Sequence, residues 1–129
     1  MTQAPPSLPF ADLLGVDIVE AGPTRVLGRL TVREDLCTAG GILHGGVYMS
    51  LADTVGAVGA FLNLPEGART TTIESKTNFL GAVAVGAVIT AEATPVHVGR
   101  RSSVWQTRIV DASGRLAALV TQTQMTILP

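Results

Sequence analysis

Asp53 is the residue whose chemistry stands out. From Gly45 to Leu62 the chain reads GGVYMSLADTVGAVGAFL, and Asp53 is the one charged side chain in that run. On a helix its neighbours three, four and seven residues away include Gly46, Met49, Ser50, Gly56, Ala57 and Ala60. None carries a positive charge, and most are small enough to let another backbone or a ligand approach closely. A carboxylate in such a place must be desolvated, find hydrogen-bond donors, or serve a purpose. Desolvation would raise its pKa and make it a better base near neutral pH. A structural reading stands beside this one: Asp53 hydrogen-bonds a backbone or hydroxyl group across an interface and fixes packing.

His44-Gly45-Gly46 opens the same run. The first N–H groups of a helix have no internal partners and carry the positive end of its dipole. Without side chains at Gly45 and Gly46, a substrate oxygen can reach those donors, which is what an oxyanion hole requires. Eight residues separate Gly45 from Asp53, about 12 Å along one helix. That is too far to grip one carbonyl, so the pair makes sense if Asp53 of one copy faces Gly45 of another. His44 reads either as a cap or turn residue or as a catalytic one, and His97 as structural. Ser50, His44 and Asp53 have the residue types of a serine-hydrolase triad, but Ser50 is mid-helix rather than on an exposed strand-to-helix elbow. Cys37 has no basic neighbour to lower its pKa and reads as a small apolar filler. The Gly40-Gly41 and Gly45-Gly46 pairs match no phosphate-loop or dinucleotide fingerprint.

These residues need a scaffold. Pro5, Pro6 and Pro9 keep the start irregular, and Phe10 to Leu14 is expected to form a short helical turn. Val16–Ala21 and Thr24–Arg33 read as strands joined at Gly22-Pro23. In the second, Val26, Gly28, Leu30 and Val32 alternate with Arg25, Arg29 and Arg33, with Leu27 breaking the pattern. Glu34–Leu43 is a loop. Gly45 to about Leu62 is a helix of about 25 Å, apolar all round and so expected to be buried on most sides. Gly56 and Gly59 cost it intrinsic propensity, so its stability must come from tertiary packing. After a turn at Asn63–Gly67 come strands at Arg69–Leu80, Ala87–Val98, Ser102–Asp111 and Arg115–Leu128. Asp111-Ala112-Ser113-Gly114 marks a hairpin, Gly99 with Arg100-Arg101 a second turn, and Pro95 a bulge or an edge. The sum is an α+β domain over residues 1–129, a largely antiparallel sheet curled round one helix.

Composition narrows the function. The 129 residues carry nine basic and ten acidic side chains, with 47% hydrophobic and only 15% charged residues. So little charge suggests that apolar area is hidden against copies of the chain. The charge balance argues against nucleic acid as a partner. One cysteine excludes an internal disulfide framework and, with two histidines, an ordinary tetrahedral zinc cluster; a cytoplasmic location is the default. The start has neither a basic region nor a long apolar one, so no signal peptide is expected. The 17-residue uncharged stretch from Leu36 to Ala52 is too short and too polar to span a membrane.

GILHGGVYMSLADTVGAVGA resembles the signature of hotdog-fold acyl-CoA thioesterases, in particular the PaaI-like (phenylacetate-pathway) and 4-hydroxybenzoyl-CoA group. The order of strands and helix extends the likeness over nearly the whole chain. The resemblance implies hydrolysis of an acyl-CoA to a carboxylic acid and coenzyme A, with coenzyme A as part of the substrate and no further cofactor or metal. It implies that the Gly45 N–H polarises the thioester carbonyl and that Asp53 of the partner subunit acts as general base or nucleophile. His44 would shape the loop. Thr38 stands where the family often has Asn or Gln, and Thr72, with Thr71 as the near alternative, matches an assisting Ser or Thr. Gly46 and the Gly99-Arg100-Arg101 turn would bind substrate, the turn at the nucleotide phosphates. Relatives are dimers at minimum and usually tetramers. A non-catalytic acyl-CoA-binding module and a hydratase or dehydratase are the rival functions on this fold. Aryl-acetyl, hydroxybenzoyl and medium-chain acyl groups all fit.

Overall fold

The computed structural model describes residues 7–129. The irregular start expected at Pro5 and Pro6 lies outside the described residues. Pro9 opens a short helix, α1 (Pro9–Leu14), instead of preceding it. Its missing N–H is no loss at the first helical position, and its fixed φ suits the turn. Strands β1 (Asp17–Gly22) and β2 (Arg25–Thr31) form a hairpin, and a single 3-10 turn (Glu34–Leu36) follows. The long helix α2 spans Gly45–Phe61. Four strands complete the chain: β3 (Arg69–Phe79), β4 (Val88–Val98), β5 (Ser102–Val110) and β6 (Leu116–Ile127).

The six strands form one antiparallel sheet in the order β1-β2-β4-β5-β6-β3, wrapped round α2. This is the expected α+β hotdog arrangement. Strand β4 is internal, so of the two readings of Pro95 the bulge holds: the β4–β5 register shifts between Pro95 and His97. Leu27 does not break β2 after all. It sits half-buried on the outer face, between inward-facing Val26 and Gly28. The β3–β6 register shifts between Thr72 and Glu74, a bulge with no clear mark in the sequence.

Leu51, Val55 and Val58 of α2 pack against Val26, Leu30, Ile89, Trp105, Ile109 and Val120 of the sheet. Each such side chain contributes about 1.5–3 kcal/mol through removal from water. Gly56 and Gly59 make the close approach of helix to sheet possible. A Cβ on Gly59 would stand 2.6 Å from the Trp105 ring, and one on Gly56 would stand 2.5 Å from Gln122 Cδ. What these glycines cost in helix propensity is offset by the packing they admit. Among the described residues no helix is long and apolar enough to cross a membrane.

Candidate active site

The sheet covers α2 along Val47, Leu51, Val55 and Val58 and leaves a stripe through Met49, Asp53 and Ala57 uncovered. Asp53 is therefore exposed in the single chain, not buried as its apolar surroundings led us to expect. The helix is apolar all round because this stripe too is poor in charge, yet among the described residues Met49 and Asp53 remain exposed.

Asp53 has found donors. Thr72 Oγ1 donates to Asp53 Oδ1 at 2.6 Å, and Gln122 Nε2 donates to the same oxygen at 3.3 Å. Neither hydrogen bond falls on Oδ2. Thr72 is itself held, because Gln124 Nε2 donates to its hydroxyl oxygen at 2.5 Å and Thr70 Oγ1 donates to Gln124 Oε1 at 3.0 Å. With the Thr72 oxygen already accepting from Gln124, its proton is directed at Asp53. Between Thr71 and Thr72, only Thr72 makes this contact; Thr71 is exposed.

Gln122 and Gln124 did not figure among the expected site residues. Their signal was available in the sequence: along β6 they continue the inward row of Ala118 and Val120, so two amides occupy core positions. Both are buried.

At the start of α2, His44 is the cap, its Nδ1 accepting from the Gly46 N–H at 2.8 Å. The Gly46 N–H is therefore engaged, which corrects the expectation that both glycine amides are open to a substrate. The first-turn geometry that lets the cap side chain reach forward two residues also consumes that donor. No described residue accepts from the Gly45 N–H. The Phe79 ring lies over Gly45, 3.1 Å from where its Cβ would be. Thr38 is exposed in the preceding loop, where its N–H donates to Ile42 O at 2.9 Å, and Gly40 and Gly41 turn the chain with φ of 86° and 71°. In the single chain Thr38 makes no side-chain contact with Asp53.

A cavity of about 530 Å³ runs beside Asp53 and is lined by Leu8, Pro9, Phe10, Ala57, Val58 and Phe61, with Thr70 and Arg69 at its border. Gly99 and Arg100 border a different cavity with Asn63, Glu66 and Thr126, at the far end of α2 from Gly45. The Gly99 N–H closes this turn on Ser102 O at 2.8 Å, and Arg100 and Arg101 are exposed. Within one chain the arginine turn and the start of α2 are thus kept apart. Ser50 donates to Gly46 O inside the helix and takes no part in a triad. Cys37 packs against the core and donates to Arg33 O at 3.4 Å. Among the described residues no three His, Cys, Asp or Glu side chains gather to hold a metal ion.

The family described as the thioesterase superfamily matches residues 40–118, more than half of the chain. The chain belongs to that superfamily. Thioester hydrolysis is accordingly the reaction class of this enzyme. It is similar to a thioesterase from Haemophilus influenzae, whose crystal structure superposes with a TM-score of 0.86 at 31% identity, covering 92% of this chain and 82% of that one. The PaaI protein of the phenylacetic acid degradation operon of E. coli superposes with a TM-score of 0.85 at 26% identity, over 93% and 85%. A 1,4-dihydroxy-2-naphthoyl-CoA hydrolase of Listeria monocytogenes is 28% identical over 108 residues, 84% of this chain and 87% of its own. The helix-start glycines, Asp53 and Thr72 lie inside the matched range, while β1, β2, Gln122 and Gln124 lie outside it.

Proposed function

We propose that the protein hydrolyses an acyl-CoA thioester to a carboxylic acid and coenzyme A, with Asp53 as the catalytic carboxylate. The observation that carries this reading is the one-sided hydrogen bonding of Asp53. Two donors from the sheet hold Oδ1, neither bond falls on Oδ2, and Asp53 borders an apolar cavity. In the general-base route, Oδ2 takes a proton from water as the hydroxyl adds to the thioester carbonyl carbon. The oxygen of the tetrahedral intermediate is met by the Gly45 N–H, the C–S bond breaks, and the coenzyme A thiolate takes up a proton. In the nucleophilic route, Oδ2 adds to that carbon, the thiolate leaves, and water hydrolyses the mixed anhydride. The same two groups serve both routes.

Gly45 and Asp53 lie about 12 Å apart on one helix, so the pair operates between two chains. Strand β3 supports such a contact: it forms one edge of the sheet over eleven residues, with Ile73 and Phe79 exposed on it. An unpaired strand edge is a template for a second copy. In the assembly, at minimum a dimer, His44 holds the helix start, Thr38 borders the partner's carboxylate, and Arg100 and Arg101 meet the nucleotide phosphates, a pairing that suits guanidinium groups. Coenzyme A enters as substrate, with no separate cofactor. Phe10 and Phe61 on the cavity wall support an apolar, aryl-bearing acyl group. The Listeria relative's naphthoyl-CoA points the same way.

Thiol release from a panel of aryl and aliphatic acyl-CoAs tests the reading. Asp53→Asn is expected to lower turnover by about 10²-fold or more with the fold intact. Hydrolysis by Asp53→Asn at the parental rate would remove the carboxylate from the mechanism. Binding of acyl-CoA without thiol release would favour a non-catalytic module.

A further inference from the structure

Resting on that reading, we infer that Gln122 is a positioning residue, an amide kept in the core to aim the Asp53 carboxylate. Gln122 is fully buried on β6, opposite Trp105 on β5. Its Nε2 donates to Asp53 Oδ1, while its Oε1 is buried without a partner. Turning the amide over would set two acceptor oxygens against each other and lose the contact with Asp53. The orientation is therefore dictated by the carboxylate, at the expense of the other end of the amide. A buried acceptor left unpaired is destabilising, and an apolar side chain of the same shape would fill the site without that penalty. The helix makes room for this arrangement. The amide lies against Gly56, where a Cβ would come within 2.5 Å of Gln122 Cδ and 2.8 Å of its Nε2.

The neighbouring amide shows the contrast. Gln124 is equally buried, but both ends of its amide are paired, one with Thr70 and the other with Thr72. Its hydrogen bonds therefore support the native fold as well as the Thr72 hydroxyl. Gln122 brings only its bond to Asp53. Thr72 on β3 and Gln122 on β6 approach Oδ1 from different strands, and two donors from two directions set the plane of the carboxylate. One donor alone would leave it free to rotate about that bond. With the plane set, Oδ2, which takes neither bond, is held in one direction.

The test compares Gln122→Met with Gln124→Met and Asp53→Asn, reading kcat, KM and Tm for acyl-CoA hydrolysis. For Gln122→Met the expectation is a kcat lowered by about tenfold or more, a nearly unchanged KM, and a Tm equal to or above that of the parent. For Gln124→Met the Tm falls. A parental kcat in Gln122→Met, or a kcat loss accompanied by a lowered Tm, overturns the positioning role. If Asp53→Asn is inactive while Gln122→Met keeps full turnover, this inference alone fails. If Asp53→Asn turns over like the parent, or the parent releases no thiol, the proposed function fails and the positioning role with it.

Discussion

Adding one methyl group to α2 at either of two glycines, one helical turn apart, separates what holds the protein together from what makes it work. At Gly56 the new Cβ meets Gln122 Cδ at 2.5 Å, and at Gly59 it meets the Trp105 ring at 2.6 Å. Ordinary carbon contacts are about 3.5–4.0 Å, so in each case something must move by roughly 1 Å. Gly→Ala in a helix returns about 1 kcal/mol of propensity, while forcing a methyl into a packed core costs about 1–3 kcal/mol. Both variants should therefore end about 0–2 kcal/mol less stable. In a chain of this length 1 kcal/mol is worth about 4 °C in Tm. The effects on turnover should differ. In Gly56→Ala the displaced side chain is the amide that bonds Asp53 at 3.3 Å, and a shift of about 1 Å abolishes that bond and can lower kcat by about 10–100-fold. In Gly59→Ala the displaced group is the Trp105 ring, whose Nε1 donates to Ser103 Oγ and not to the carboxylate, which is held by Thr72 and Gln122. Its kcat should stay near the parental value. Thermal melts at one fixed protein concentration, to hold any oligomer equilibrium constant, and steady-state thiol release suffice. Equal losses of kcat in the two variants, or none in Gly56→Ala, would refute the reasoning.

Two further outcomes follow from groups away from the site. Tyr48 is buried and its hydroxyl donates to Gly81 O at 3.0 Å; burial pushes its pKa up, so it remains a donor through ordinary alkaline conditions. Tyr48→Phe should cost about 1 kcal/mol, read as a lower Tm with kcat little changed. Asp111 in the β5–β6 turn accepts from the Ser113 hydroxyl and from Arg115, which hold its carboxyl at a pKa of about 2 against an ordinary 3.8. A lowered folded-state pKa contributes stability that is fully present above the ordinary value and fades as pH falls toward 2. The Tm gap between the parent and Asp111→Ala should thus be constant above about pH 5 and close between pH 4 and 2. A gap that widens on acidification would reverse the sign.

Much of the architecture was legible because the signals were local. A proline-free apolar run becomes α2, and Asp111-Ala112-Ser113-Gly114 becomes a turn because the Asp111 carboxylate gathers the N–H groups of Ser113 and Arg115. Asp53 was conspicuous as the one charge in its run. The properties that depend on distant partners were harder to read. Asp53 is exposed because the sheet stops short of one stripe of the helix, a matter of sheet curvature that no local pattern encodes. The pairing of β3 with β6 brings Thr72 and Gln124 together across 52 residues of chain. Gln122 and Gln124 looked like ordinary members of an alternating strand, and only the knowledge that their row faces inward makes them unusual. The cap on Gly46 was partly legible: the position of His44 before the helix offered a cap or turn residue beside a catalytic one, and its Nδ1 contact with the Gly46 N–H decides for the cap.

The kink in β3 has its own consequence. Thr72 reaches Asp53 and Phe79 covers Gly45, yet seven residues separate them, an odd interval that would put them on opposite sides of a regular strand. The additional residue at Ile73 resets the count, so a single strand attends to both the start and the middle of the helix. Regular pairing of the same residues, with Ile73 kept but the bulge flattened, would turn either Thr72 or Phe79 outward, whereas deleting Ile73 would leave an even interval with both still facing the helix. What the strand must keep is the even number of paired positions between Thr72 and Phe79, and the bulge is how a chain one residue too long keeps it.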